Sequence, residues 1–108
     1  MQIPLQITLR GIGQSAAVEA AIREKAAKLD QFHPRIMSCA VVVDVPGRHQ
    51  HKGKEFVVHI DLKIPGEEIA VNRHHDEDIN VALRDAFDAA RRQLEEAARR
   101  QHDDMKAQ

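Results

Sequence analysis

The sequence is poor in the residues from which several kinds of functional site are built. Its 108 residues contain no tryptophan, no tyrosine and only three phenylalanines, so we do not expect a surface that stacks single-stranded RNA on aromatic rings. The one cysteine, Cys39, excludes an internal disulfide and is typical of a reducing cytosol. No hydrophobic run reaches membrane-spanning length, and the N-terminus has no basic leader. These absences predict a cytoplasmic protein with no membrane partner.

An excess of charge of one sign is also missing. The chain has 16 lysines and arginines against 17 aspartates and glutamates, a formal net charge of −1. The total charge therefore gives no indication of nucleic-acid binding, and any basic surface has to be assembled by folding. The length suits one small domain with a single core.

Hydrophobic periodicity predicts an α+β fold. Apolar residues alternate or run continuously in four segments that we predict as strands, at 3–10, 36–45, 55–64 and 69–73. Two segments have helical spacing, from Ser15 to about Phe32 and from the acidic residues 76–78 to about Arg100. The order β-α-β-β-β-α predicts a four-stranded sheet with both helices packed on one face. We expect one domain over residues 1–100 and a frayed tail over 101–108.

Each predicted element has one apolar face. The apolar stripe of the first helix is Val18, Ile22, Ala26, Leu29 and Phe32. The stripe of the second helix is Ile79, Leu83, Ala86, Phe87, Ala90, Leu94 and Ala97. The sheet face away from the helices is expected to stay open, with outward side chains at Gln6, Thr8, His59, Asp61 and Lys63.

No group of residues indicates catalysis. The segment GIGQSA has dinucleotide-binding spacing, but that cofactor needs a larger parallel sheet, and we interpret the segment as a strand-to-helix turn. Cys39 lies in an apolar strand, and Ser15 and Ser38 have no identifiable base at a diagnostic spacing. We therefore predict a protein that is not an enzyme and that uses no cofactor and no small-molecule substrate.

Four histidines form a candidate metal site. His49 and His51 belong to a polar loop, and His74 and His75 precede the second helix. Imidazole binds zinc or nickel, although loop histidines are more often only solvated. We do not predict a physiological metal, and a metal-responsive regulator stays an alternative.

Basic residues are the remaining candidates. Arg84, Arg91, Arg92 and Arg99 follow one another along the exposed side of the second helix, interrupted by Asp88 and Glu95. This pattern is typical of a solvated ladder of ion pairs, each worth about 0.3–0.5 kcal/mol. Such weak pairs leave the arginines able to bind phosphate, to which one hydrogen bond contributes about 1.5–3 kcal/mol. Further basic candidates are Lys25, Lys28, Arg35, Arg48, Lys52, Lys54 and Arg73.

The element order and two segments resemble a known family. These segments are KAAKLDQFHPRI, which leads into VVVDV, and DEDINVALRDAFDAARRQLEEAARR. Together they are similar to the ribosome hibernation-promoting factor and ribosome-associated inhibitor A family, also called sigma-54 modulation proteins, in its short form. The resemblance covers nearly all of residues 1–100.

The resemblance implies a fold like that of double-stranded-RNA-binding domains and a function in translation. It implies a stress factor that binds the small (30S) ribosomal subunit and its 16S rRNA in the mRNA/tRNA channel and blocks translation without catalysis. Lys25, Lys28, Arg35 and Arg92 fall on positions that are basic in the family. Without the C-terminal domain of the long form, we expect that this chain does not itself join two ribosomes. A protein-interaction module that uses its open sheet face or edge is the other alternative, and the sequence leaves the oligomeric state open.

Overall fold

The secondary structure has the predicted order. The computed structural model describes residues 4–45 and 55–106. It contains strand β1 (Leu5–Arg10), helix α1 (Ala16–Phe32), strands β2 (Ser38–Asp44), β3 (Phe56–Ile64) and β4 (Glu67–Asp76), and helix α2 (Ile79–Lys106). The predicted α+β class and β-α-β-β-β-α order are thereby confirmed. Within the described ranges, no helix is long and apolar enough to cross a membrane.

The four strands form one mixed sheet in the order β1-β2-β3-β4. β1 pairs in parallel with β2, because α1 carries the chain back across the sheet between them. β2, β3 and β4 form an antiparallel meander. β2 therefore has a neighbour on both sides, as its nearly continuous apolar sequence predicts.

Local sequence sets the ends of the helices and the tight turn. The Ser15 hydroxyl accepts a hydrogen bond from the Val18 backbone N–H at 3.2 Å, which caps the start of α1 as predicted. An Asp78 carboxylate oxygen accepts from the Asn80 N–H at 2.8 Å and caps α2 in the same way. Gly66 has a φ of +88°, and Pro65–Gly66 forms the two-residue turn between β3 and β4.

The predicted boundaries of β4 and α2 were wrong, and β2 is also shorter than predicted, Ser38–Asp44 instead of 36–45. β4 runs from Glu67 to Asp76 instead of 69–73, because it pairs along the full length of β3, with a shift in register between Val58 and Ile60. α2 continues to Lys106 instead of ending near Arg100. Contacts with the β3–β4 turn support this extension, since Arg100 Nη2 lies 2.8 Å from Glu67 Oε1 and Gln101 Nε2 donates to the Pro65 carbonyl at 3.1 Å.

The core lies between the sheet and the two helices. α2 packs on β3 and β4, and α1 packs on β1 and beside α2. The inward side chains of β3, from Val58 to Ile64, are buried, as are Ile22, Ala26 and Leu29 of α1 and the α2 stripe from Leu83 to Ala97. The opposite face of the sheet carries the polar residues that the alternation predicts, with Gln6, Asp61 and Lys63 exposed and Thr8 and His59 half-buried. One face is thus covered and the other is open, as predicted.

Candidate nucleic-acid interface

A groove runs between the two helices on the side of the molecule away from the sheet. It has a volume of about 250 Å³ and combines charged walls with an apolar floor. Its lining residues are Lys25, Lys28, Leu29 and Phe32 from α1 and Arg84, Phe87, Asp88 and Arg91 from α2. Among the described residues, four cations and one carboxylate therefore meet in one groove of a chain that is almost neutral in total.

Helical spacing explains why these cations share the groove. Lys25 and Lys28 are three residues apart in α1 and lie on one face of it. Arg84 and Arg91 are seven residues apart in α2, close to two full turns, so they also project from one face. Because α1 and α2 pack side by side, the two faces border the same groove.

Phe32 belongs to this groove and not to the core. In the sequence it is the last residue of the apolar stripe of α1, and its relative exposure in the structure is 38%. The guanidinium carbon of Arg91 lies 4.2 Å from the centroid of the Phe32 ring, a cation–π contact. Phe32 is the last residue of α1, where the chain turns away toward β2, so its ring meets α2 rather than the sheet. The last member of the predicted apolar stripe of α1 therefore lines the groove and is not part of the buried core.

The ion pairs around the groove are few and exposed. Arg84 Nη2 lies 3.1 Å from Asp85 Oδ1, and Lys28 Nζ lies 3.9 Å from Glu24 Oε1. Exposed pairs of this kind contribute about 0.2–1 kcal/mol or less, so they hold neither cation firmly. Lys25 and Arg91 have no carboxylate within 4.0 Å in the part of the chain that the structure describes.

The predicted ladder along α2 is not formed in this structure. At i, i+4 spacing, such a ladder would pair Arg84 with Asp88, Arg91 with Glu95, and Glu95 with Arg99. Within 4.0 Å, none of these pairs is present among the described residues. Arg84 contacts Asp85 and Arg91 covers Phe32, so the arginines near α1 are oriented by other neighbours.

Sequence comparison assigns the family. The family model described as "Sigma 54 modulation protein / S30EA ribosomal protein" matches residues 5–102. The chain belongs to this family. The match spans all four strands, α1 and most of α2, so the resemblance inferred from the residues is confirmed. No curated protein sequence matches the chain.

Solved structures share the family's fold. A ribosomal subunit interface protein from Coxiella burnetii superposes with a TM-score of 0.76 at 16% identity, over 89% of this chain and 98% of that one. The N-terminal domain of Protein Y from Thermus thermophilus superposes with a TM-score of 0.69 at 23% identity, over 87% of this chain and 96% of that one. At these identities the likeness shows the fold alone.

Among the other basic candidates of this family member, those whose side chains the structure describes do not line the groove. Arg92 is about 100° further around α2 than Arg91, and it is exposed, as are Arg99 and Arg35. Arg73 lies in β4, and its side chain is outside the described part of the structure. Arg48, Lys52 and Lys54 also lie outside the described residues. The structure therefore brings together Lys25, Lys28, Arg84 and Arg91 and places the remaining described cations elsewhere.

The candidate metal site finds no support in the described residues. His74 and His75 are neighbours within β4, so their side chains point to opposite faces of the sheet. His75 Nδ1 lies 3.2 Å from Glu55 Oε2. Over residues 4–45 and 55–106, no three metal-binding side chains are grouped, while His49 and His51 lie outside that range.

Cys39 is a core residue, as the apolar pattern around it predicts. Its side chain is almost fully buried between the sheet and the helices. Burial, and to a smaller extent the Asp61 carboxylate, raises the pKa of the Cys39 thiol from its ordinary value of 9.0 to about 11. A thiol in this state is a poor nucleophile at neutral pH.

Proposed function

We propose that this protein binds the small ribosomal subunit in the mRNA/tRNA channel and inhibits translation without catalysis. Binding would be through 16S rRNA in the cytoplasm of stressed cells. The observation that carries the proposal is the convergence of Lys25 and Lys28 with Arg84 and Arg91 in one groove. Membership of a family named for a ribosomal protein supports the same partner.

The geometry suits recognition of an RNA backbone. Two helices packed on a sheet hold the cations at set separations, so that they meet phosphates without a large loss of backbone entropy. Contacts to phosphates position a protein on RNA without reading its sequence. The body of the domain, with principal extents of 56 × 25 × 17 Å, would then occupy the channel sterically. The proposed inhibition needs no reaction, only occupancy.

Sedimentation with purified small subunits tests the proposal. The wild-type protein is expected to sediment with the subunits at low salt, and Lys28→Glu is expected to reduce the bound fraction strongly. Arg23→Glu is the matched control, because Arg23 is an exposed cation of the same helix that pairs with Glu19 and does not line the groove. Equal loss of binding in both variants, or no sedimentation of the wild type, contradicts the proposal.

No observation in the described residues specifically supports the alternative, a protein-interaction module that uses the open sheet face or edge. Its open sheet face carries polar side chains, including His59, whose Nε2 lies 3.0 Å from Asp61 Oδ2. In the described ranges, the exposed large apolar side chains are Phe32 and Met37, and neither belongs to a strand.

A further inference from the structure

The floor of the helix groove is not explained by phosphate binding. Leu29 and Phe87 lie at its base and Phe32 forms part of its wall, beside the four cations. Phosphates on the surface of an RNA duplex need only cations and N–H donors. The bases of a duplex are stacked inside it and present only their edges, so a duplex cannot fill an apolar groove. The groove therefore has a second recognition feature beyond its charge.

We infer that the groove accepts one unstacked nucleotide of an RNA strand, with its base against the Arg91–Phe32 pair and its phosphates on the groove lysines and Arg84. This inference rests on the proposed function, because it specifies which part of the RNA the groove binds. Bases that leave a helix stack on aromatic rings and on arginine guanidinium planes, and both kinds of surface are present here. Phe32 is exposed and already held under Arg91, so the stacking surface exists before RNA binds. The inference departs here from the expectation, based on the scarcity of aromatic residues, that no RNA base stacks on a ring of this protein.

The size and charge of the groove fit such a nucleotide. A cavity of about 150 Å³ holds a benzene ring. The groove, at about 250 Å³, has room for a larger aromatic ring system. Lys25, Lys28 and Arg84 line the same groove, so the phosphates on either side of the base would meet cations. Asp88 opposes them with one negative charge, which leaves the lining net positive.

Three RNA probes test the inference. They are a duplex with one bulged adenosine, the same duplex with an abasic residue at the bulge, and the fully paired duplex. The wild-type protein is expected to bind the bulged adenosine about five-fold or more tighter than the other two, since stacking of one base is worth at least this factor. Phe32→Leu is expected to remove the preference while keeping the binding common to all three RNAs. Met37→Leu, at the other exposed large apolar side chain of the described residues, is expected to leave it unchanged.

The outcomes separate this inference from the proposed function. If the wild type binds all three RNAs equally while it still sediments with small subunits, the nucleotide groove is refuted and ribosome binding stands. Free adenosine monophosphate that competes as well as the bulged RNA would indicate a free-nucleotide site and would also refute it. If circular dichroism shows that Phe32→Leu is unfolded, the inference is tested by comparing the bulged and abasic RNAs with the wild-type protein, because this comparison removes the base from the RNA and leaves the protein unaltered.

Discussion

The count of cations in the helix groove predicts how binding depends on salt. Each phosphate that a protein neutralises contributes about 0.7–0.9 to the slope of log affinity against log salt concentration. The groove holds Lys25, Lys28, Arg84 and Arg91. Four contacts give a slope of about −2.8 to −3.6, and three contacts give about −2.1 to −2.7 if Arg91 stacks on a base instead of binding a phosphate. The affinity for small subunits should therefore fall about 20- to 150-fold between 50 and 200 mM salt.

Removal of one groove cation should change this slope by the contribution of one phosphate contact. Lys28→Ala is expected to make the slope shallower by about 0.7–0.9. Its pair with Glu24, at 3.9 Å, is long and exposed on both sides, so little folding stability is lost with it. Arg23→Ala removes a cation from the same helix outside the groove and is expected to leave the slope unchanged.

The assay is a titration of fluorescently labelled protein with purified small subunits at several salt concentrations and constant magnesium. Circular dichroism of each variant establishes that the fold is intact. A wild-type slope near −1 would refute the reasoning, because it would mean that the grouped cations do not contact phosphates together. An equal change of slope in Lys28→Ala and Arg23→Ala would refute the assignment of the surface.

Three further variants test the charge of the groove, the β3–β4 turn and the core. Asp88→Asn removes a carboxylate that lines the groove and is expected to tighten binding to small subunits about five-fold at low salt, measured by the same titration. Gly66→Ala is expected to lower the free energy of unfolding by about 1–2 kcal/mol in urea, because Gly66 has a positive φ. Since the pKa of Cys39 is raised from 9.0 to about 11, the unfolded chain releases this proton first. The free energy of unfolding should therefore fall as pH rises through that interval, by up to about 2–3 kcal/mol, and Cys39→Ala should lack this component.

Each of these three predictions has a clear contrary result. Weaker binding by Asp88→Asn would show that this carboxylate assists RNA binding. Gly13→Ala is the control for the turn, because Gly13 has no positive φ and a methyl group added there would have no atom within 4 Å. An equal loss of stability in both alanine variants would exclude backbone strain at Gly66. Identical pH profiles for the wild type and Cys39→Ala would show that the thiol is not protected by the fold.

The sequence alone was sufficient for the element order and for local signals. Period-two alternation in β3 and helical spacing in α2 are properties of neighbouring residues, and the structure confirms both. Ser15 caps α1, and Pro65–Gly66 forms the β3–β4 turn, because caps and tight turns are built from residues close in sequence. The family assignment also follows from local segments, and the match over residues 5–102 confirms it.

Contacts between residues that are distant in sequence decided where β4 and α2 end and where the Phe32 ring lies. β4 extends to Asp76 because β3 pairs with it, and α2 extends to Lys106 where Arg100 and Gln101 reach the β3–β4 turn. Phe32 continues the apolar spacing of α1, yet it is exposed. It is the last residue of the helix, and its ring lies against Arg91 of α2 instead of the sheet.

The amino-acid sequence thus determined which segments are helices and strands, since hydrophobic periodicity acts over a few residues. It also supplied every cation of the candidate interface, but without showing which of them lie together. Only the packing of α1 beside α2 brings Lys25 and Lys28 to the same groove as Arg84 and Arg91. The physical reason is that net charge is a sum over the whole chain, whereas a phosphate responds to the cations that folding places within a few ångströms of it.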